Sequence, residues 1–161
     1  MPVIQPARVA ALGDLEIEVA RTFNAPRALV ARAFTEPALL QRWLGVFGDW
    51  SWASCEIDVR PGGSYRWEWR QPNGAVLVLS GDYREVTPEV RYVMTQRYEG
   101  LPEFPNEMLV TMTLEEEAGR TTVVQVSRYA TREERDRDLQ YMPNGIEPSY
   151  ATLDGVLAAA A

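Results

Sequence analysis

Hydrophobic and polar residues alternate along much of the chain, with a period of two that predicts β-strands burying one face. The first such segment follows Asp14 and ends at Phe23, and Arg21 is the one break on its apolar side. Further strands are predicted after residue 54, at Cys55–Val59, Tyr65–Trp69, Val76–Val86, Tyr92–Tyr98, Met108–Leu114 and Thr122–Tyr129. The long segment Val76–Val86 is mixed on both faces, and its Gly81 is compatible with a bulge.

Turn signals separate these strands. The signals are Pro61-Gly62-Gly63, Pro72-Asn73-Gly74, Thr87-Pro88-Glu89 and Ala118-Gly119-Arg120. Strands joined by such turns run antiparallel, so the chain predicts a meander of about six strands after the first. Two longer segments rich in glycine or proline, Leu44–Trp52 and Gly100–Asn106, are interpreted as loops.

Helical spacing appears in two places. Pro26 opens a short helix that runs to about Phe34, and Pro37 opens a second, because proline suits the first helical turn. Near the C-terminus, Thr131 and Glu134 form a capping box, and the charged stretch that follows predicts a solvated helix or lid through Gln140.

The end of the chain predicts one more helix. Residues 142–145 (Met-Pro-Asn-Gly) interrupt the charged stretch, and Pro148 opens a helix with a stripe of apolar residues: Tyr150, Leu153, Val156 and Leu157. A helix of this kind can cover one face of the antiparallel sheet. The predicted class is therefore α+β, with two short helices after the first strand and a helix at the C-terminus.

Chain length and net charge limit the number of domains and the classes of binding partner. The 161 residues fit one domain, interpreted as residues 14–161 after a tail or short leading segment at 1–13. The net charge of −7 argues against affinity for nucleic acid or an anionic membrane surface. No signal peptide or transmembrane segment is recognisable, so a cytoplasmic location is expected.

The absence of histidine and the single cysteine exclude several chemistries. Histidine-based catalytic triads, imidazole metal sites, intrachain disulfides and thiolate clusters all need residues that the chain lacks. No motif implies a metal or an organic cofactor. Cys55 alternates with apolar residues and is interpreted as a small buried hydrophobe.

Aromatic residues and methionines are the candidates for a binding site. Seven aromatic residues fall between positions 43 and 69, and such side chains either fill a core or line a ligand cavity. Methionines on apolar strand faces suit an adaptable lining. The predicted ligand-binding residues are Trp43, Phe47, Trp50, Trp67, Trp69, Met94, Met108, Met112, Tyr150 and Leu153, with the entrance near Leu44–Trp52 and Gly100–Asn106.

Charged residues give weaker signals. Glu56, Asp58 and Glu68 are interpreted as a solvated exterior, and Arg132–Asp138 as a solvated helix face. Whether Arg128 turns inward to anchor an anionic head group is left open. No catalytic residue is assigned.

Six segments resemble a known family: 21–26 (RTFNAP), 34–43 (FTEPALLQRW), 58–66 (DVRPGGSYR), 81–86 (GDYREV), the strand that contains Thr121-Thr122, and the final segment Gly145–Leu157. Their order and spacing resemble the START-like (SRPBCC) superfamily, and in detail the AHSA family, named for activators of a heat-shock chaperone ATPase. The resemblance covers about residues 14–157. It implies a helix-grip fold, in which a curved antiparallel sheet wraps around a long C-terminal helix with a cavity between them. One departure is Gly145-Ile146, where the family usually has Gly-Trp.

The resemblance implies a function only loosely, because relatives bind apolar ligands, cyclise polyketides or act as co-chaperones. The favoured hypothesis is binding of a small hydrophobic or aromatic ligand in an internal cavity. One alternative is a metal-free cyclase or hydrolase acting on an aromatic or polyketide substrate, and another is a chaperone-associated interaction protein. A homodimer is compatible with an open edge strand.

Overall fold

Eight strands and three helices form within residues 5–46 and 48–160, which are the residues that the computed structural model describes. In chain order they are β1 (Arg8–Leu12), β2 (Glu16–Phe23), α1 (Arg27–Thr35), α2 (Pro37–Leu40), β3 (Ser51–Ile57), β4 (Ser64–Arg70), β5 (Val76–Thr87), β6 (Arg91–Glu99), β7 (Met108–Glu117), β8 (Arg120–Arg128) and α3 (Arg132–Ala160).

All eight strands belong to one antiparallel sheet with the order β1-β2-β8-β7-β6-β5-β4-β3. The strands from β3 to β8 form the predicted meander, and β2 pairs with β8, which places the first predicted strand next to the last. The sheet is curved, and α3 packs against it together with α1 and α2. The prediction of an α+β helix-grip fold is confirmed.

Strand β1 lies within residues 1–13, which sequence analysis interprets as a tail or leading segment. It pairs with β2 from Arg8↔Ala20 to Leu12↔Glu16 and forms one edge of the sheet. Four of its five residues are exposed, so no alternation of apolar and polar positions is required, and none marks it in the sequence.

Helix α3 is continuous over 29 residues, so the predicted interruption at residues 142–145 and the new start at Pro148 are wrong. Pro143 and Pro148 both lie inside the helix, although each removes one backbone hydrogen bond. Buried residues before and after the prolines hold both halves of α3 against the sheet, and this tertiary packing outweighs the local cost of proline.

The charged start of α3 is not the solvated face that the sequence predicts. Glu134, Arg135 and Asp138 are all at least nine-tenths buried. Arg135 Nη1 donates to the backbone carbonyls of Gly13 and Glu16, at 2.9 and 3.1 Å. These bonds fix the start of α3 to the β1–β2 hairpin.

The predicted N-terminal cap of α3 is present. The backbone N–H of Glu134 donates to Thr131 Oγ1 at 3.2 Å, and the Thr131 hydroxyl donates to the Glu134 carboxylate at the same distance. The carboxylate also accepts hydrogen bonds from the backbone and side-chain amides of Asn106. Glu134 therefore connects the cap to the β6–β7 loop.

Gly81 is not the site of the bulge in β5, because the register shifts between Tyr83 and Glu85. A Cβ at Gly81 would lie 1.9 Å from the Thr95 carbonyl oxygen and 2.9 Å from the Tyr65 ring. The Tyr65 hydroxyl donates to that same carbonyl at 2.7 Å. Glycine is needed here because the Tyr65 ring and the Thr95 backbone occupy the space of a side chain.

Among the helices of residues 5–46 and 48–160, none is both long enough and apolar enough to cross a membrane.

Candidate functional site

A cavity of about 430 Å³ lies between the sheet and the helices. Strands β4–β8 provide one wall, and α3 provides much of the other. The ends of α1 and α2, together with the loop before β3, close one side through Phe34, Trp43, Gly45 and Trp50. The lining is mostly apolar and aromatic, which suits a small hydrophobic molecule.

Strand register explains why the aromatic residues of the sheet reach the cavity. Trp67 of β4 pairs with Leu79 of β5, which in turn pairs with Tyr98 of β6. Residues paired across neighbouring strands share a face, so all three point to the same side of the sheet. Trp69 and Leu77 form the adjacent row, two residues along each strand.

Seven of the ten predicted ligand-binding residues line the cavity: Trp43, Trp50, Trp67, Trp69, Met94, Met112 and Tyr150. Met108 and Leu153 are buried in the core but are not part of the lining. Phe47 lies outside the described residues.

The two predicted entrance loops differ in their position. Leu44, Gly45 and Trp50 of the first loop line the cavity. No described residue of the second, Gly100–Asn106, belongs to the lining, although Phe104 packs against Tyr98 with ring centroids 5.0 Å apart. The second loop therefore contacts the cavity wall through Phe104 but does not line the cavity.

Four of the five tryptophan indole groups form two pairs that differ in their hydrogen bonding. Trp43 and Trp52 donate their Nε1–H groups to the carbonyls of Ala33 and Leu44, each at 2.9 Å. The Nε1 atoms of Trp67 and Trp69 are buried, and no acceptor for them is found among the described residues. The first pair therefore fixes the α1–β3 region, whereas the second adds rings to the cavity wall without fixed hydrogen bonds.

Asp138 is the one carboxyl group among the described lining residues. It projects from α3, and its Oδ2 accepts a hydrogen bond from the Tyr129 hydroxyl. Tyr98 provides a second hydroxyl contact. Burial raises the pKa of Asp138 above the usual aspartate range, although both hydroxyl contacts act in the opposite direction.

The two tyrosines beside Asp138 are strongly perturbed as well. Burial is the main cause that raises the pKa of Tyr98 and of Tyr129, and the negative charge of Asp138 raises both further. Both hydroxyls therefore remain protonated near neutral pH, and the Tyr129 hydroxyl donates a hydrogen bond to the carboxyl group with Tyr98 close by. The three side chains form a polar patch in an otherwise apolar lining.

Sequence reasoning missed Asp138 because it treated the charged stretch as solvated. A signal was present: residues 138, 142, 146, 150, 153 and 157 follow one another at helical spacing of three or four. Continued through Pro143 and Pro148, this stripe places Asp138 on the same face of α3 as Tyr150. The two prolines concealed the continuity.

Other residues singled out from the sequence are not among those that line the cavity. Cys55 is half-buried, and burial raises the pKa of its thiol to about 11, consistent with a small hydrophobe. Arg128 is exposed beside Glu16, with 3.9 Å between their charged atoms, and does not turn inward. Within the described part of the chain, no group of three metal-ligating side chains is arranged around a common point.

The family model described as "Activator of Hsp90 ATPase homolog 1-like protein" matches residues 24–158. The chain belongs to this AHSA1 family.

Solved structures support the assignment. A protein from Rhodobacter sphaeroides is 29% identical with a TM-score of 0.88, over 96% of this chain and 99% of that one. A protein from Nitrosomonas europaea is 26% identical with a TM-score of 0.79, over 94% and 100%. An AHSA1-like protein from Aeromonas hydrophila, 16% identical with a TM-score of 0.69 over 89% and 93%, shares the fold. No curated protein matches the sequence.

In this AHSA1 member, Gly145 and Ile146 both line the cavity from the middle of α3. The resemblance described above led us to expect Gly-Trp at these two positions. Isoleucine is smaller than tryptophan and lacks an N–H donor. The wall at this point therefore has a smaller side chain and one hydrogen-bond donor fewer than a tryptophan would give it.

Proposed function

We propose that the protein binds a small hydrophobic or aromatic ligand in the cavity between the sheet and α3. The observation that carries the proposal is the cavity itself, whose volume of about 430 Å³ falls in the range of roughly 300–1,000 Å³ that is typical of small-molecule sites. Aromatic rings lie on both walls, so a planar molecule can stack between them. AHSA1 membership agrees with this role but does not specify the ligand.

The cavity mouth supports access from solvent. Tyr141 is 64% exposed, an unusual position for a large aromatic side chain, and it also belongs to the lining. Trp50, on the loop before β3, is another lining residue that is only partly buried. An aromatic rim of this kind gives an apolar molecule a surface to contact before it enters.

Native mass spectrometry of protein purified from its own host, followed by denaturing extraction, tests the proposal. The expected result is a stoichiometric small molecule that is lost on denaturation. A matched pair of variants then assigns the site: Leu79→Trp fills the cavity beside Trp67, whereas Val76→Trp places the same ring on an exposed position of β5. We expect the first to abolish binding and the second to leave it unchanged.

The proposal fails if the folded protein carries no bound molecule and no compound from an apolar library shows saturable binding. It also fails if Leu79→Trp, shown to be folded by circular dichroism, binds as well as the wild type.

A second candidate function is a metal-free cyclase or hydrolase acting on an aromatic or polyketide substrate. The observation that favours it is Asp138, a buried carboxyl group in contact with two tyrosine hydroxyls. A carboxyl group whose pKa is raised by burial suits general acid–base work. Turnover of such a substrate by the wild type, with loss in Asp138→Asn, would support this function. Binding without turnover supports the first.

A further inference from the structure

The buried carboxyl group of Asp138 has hydrogen-bond acceptor capacity that the described residues leave unused. Its carboxyl group lies in a mostly apolar wall, and Asp138 as a whole is only 8% exposed. Burying a carboxylate is costly unless it is paired or hydrogen-bonded. An ionised carboxylate can accept about four hydrogen bonds, and the Tyr129 hydroxyl supplies one, with the Tyr98 hydroxyl close by. Acceptor capacity therefore remains on the cavity side.

The neighbouring arginines, Arg135 and Arg137, donate to other groups and not to Asp138. Arg135 is occupied by the carbonyls of Gly13 and Glu16 and by Asp136. Arg137 Nη1 donates to the Glu103 carbonyl, and its guanidinium lies over the Phe104 ring. Within residues 5–46 and 48–160, no arginine forms an ion pair with Asp138. A donor from a ligand would meet no competing positive charge.

The position of the carboxyl group relative to the aromatic wall defines the ligand further. Tyr98, which contacts Asp138, lies in the same cross-strand row as Leu79 and Trp67. Neighbouring strands are about 4.8 Å apart, so Trp67 and Tyr98 are separated by roughly 10 Å along the sheet. A bicyclic aromatic molecule stacked near Trp67 and Leu79 could direct one substituent towards Asp138.

We propose that Asp138 determines specificity by accepting a hydrogen bond from a hydroxyl or amino group of the cavity ligand. The ligand class is then a hydrophobic or aromatic molecule that carries one O–H or N–H donor, such as a phenol, an alcohol or an amine. Tyr129 and Tyr98 hold the carboxyl group in place. This inference rests on the proposed function, because it requires that a ligand occupies the cavity.

Two probes that differ in a single donor provide the test. Binding of 2-naphthol and of 2-methoxynaphthalene, which lacks the O–H, is measured by isothermal titration calorimetry. A hydrogen bond to a charged group contributes about 1.5–3 kcal/mol, so the wild type should prefer 2-naphthol by about tenfold or more. Asp138→Leu should abolish the preference while still binding 2-methoxynaphthalene, and Asp138→Asn should reduce it.

Two further variants separate the role of the carboxyl group from a loss of folding. Asp136→Asn changes an exposed aspartate on the same helix, and it should keep the wild-type preference. Tyr129→Phe removes a hydroxyl that holds the carboxyl group, so it should weaken the preference without abolishing it. Asp138→Asn, which keeps the size of the side chain, tests the inference even if Asp138→Leu does not fold.

Equal affinity of the wild type for the two probes would overturn the inference and leave the proposed function intact. A preference that persists undiminished in folded Asp138→Leu or in folded Asp138→Asn would overturn it as well. If the wild type binds neither probe, the proposed function fails for this ligand class, and the inference fails with it.

Discussion

Arg21 of β2 donates hydrogen bonds from Nη1 and Nη2 to the two carboxylate oxygens of Asp154 in α3, and both N···O distances are 2.6 Å. The Arg21 side chain is only 3% exposed, and its guanidinium lies 4.7 Å from the centre of the Phe23 ring. The apolar alternation of the first predicted strand breaks at this residue. The break therefore corresponds to an ion pair that joins the sheet to the C-terminal half of α3.

Asp154→Asn should destabilise the protein, because it leaves a buried guanidinium without its counter-charge. Removing one partner of a buried pair costs about 3–5 kcal/mol. The side chain of Asp154 is 28% exposed, so we expect a loss near or below the lower end of that range. Urea unfolding of the variant and the wild type measures the difference in the free energy of unfolding.

The double variant Arg21→Met/Asp154→Leu is the matched control, and it should recover much of that loss because both charges are gone. Glu36→Gln, which removes an exposed pair with Arg32, should produce no measurable change. Equal losses in Asp154→Asn and Glu36→Gln would contradict a special role for the buried pair.

Asp138 should make the stability depend on pH. Burial raises its pKa in the folded state above the value of about 3.9 expected in the unfolded chain. Below pH 4 the group is protonated in both states. As the pH rises through the folded-state pKa, ionisation costs more in the folded protein, so its contribution to stability is lost.

Asp138→Asn removes this dependence. The free energy of unfolding of the variant should therefore increase relative to the wild type as the pH rises from about 4 to 7. Urea titrations at several pH values measure the difference. If the free energy of unfolding changed with pH in the same way for the two proteins, folding would not disfavour ionisation of Asp138.

Cys55 should react slowly with alkylating reagents in the folded protein. Its pKa of about 11 leaves roughly a hundredfold less thiolate at pH 8 than an unperturbed thiol, and the thiolate is the reactive form. Alkylation by iodoacetamide, followed by mass spectrometry, measures the rate. The same reaction in urea is the control, and equal rates in the two conditions would contradict a buried thiol.

Alanine substitutions at two glycines, Gly81 and Gly155, should change the stability of the protein in opposite directions. Gly81→Ala places a methyl group 1.9 Å from the Thr95 carbonyl oxygen, and relieving this overlap should destabilise the protein by about 1–3 kcal/mol. Gly155 in α3 has open space around its Cα, so Gly155→Ala should stabilise it by about 0.5–1 kcal/mol. Thermal and urea unfolding measure both, and a neutral Gly81→Ala would contradict the close approach.

Much of the sheet was predictable because alternation reports directly on which face of a strand is buried. Trp67, Met94 and Met112 were assigned to the cavity side for this reason, and they lie there. Met108 alternates in the same way but fills the core, because periodicity gives the face of a strand and not the depth at which a cavity ends.

The helix was harder to predict because local signals and tertiary packing disagree there. Pro143 and Pro148 indicate a break, and the charged residues before them indicate solvent. The structure overrides both signals by burying Glu134 and Asp138 against partners that are distant in sequence. No single-segment pattern contains those partners, so the hydrogen bonds of Glu134 and Asp138 could not be derived from the sequence, although the helical stripe that includes Asp138 could.

The two prolines in α3 have a consequence for local unfolding. Pro143 and Pro148 have no amide hydrogen, so the carbonyls of Leu139 and Asn144 receive no helical hydrogen bond, within the stretch that forms one wall of the cavity. Fewer backbone bonds must break for this stretch to open than for a helical stretch of the same length without proline. Amide hydrogens of residues 140–147 should therefore exchange with deuterium earlier than those of residues 150–157, and a bound ligand should slow them. The segment that covers the cavity would then open for a ligand while the rest of the helix stays on the sheet.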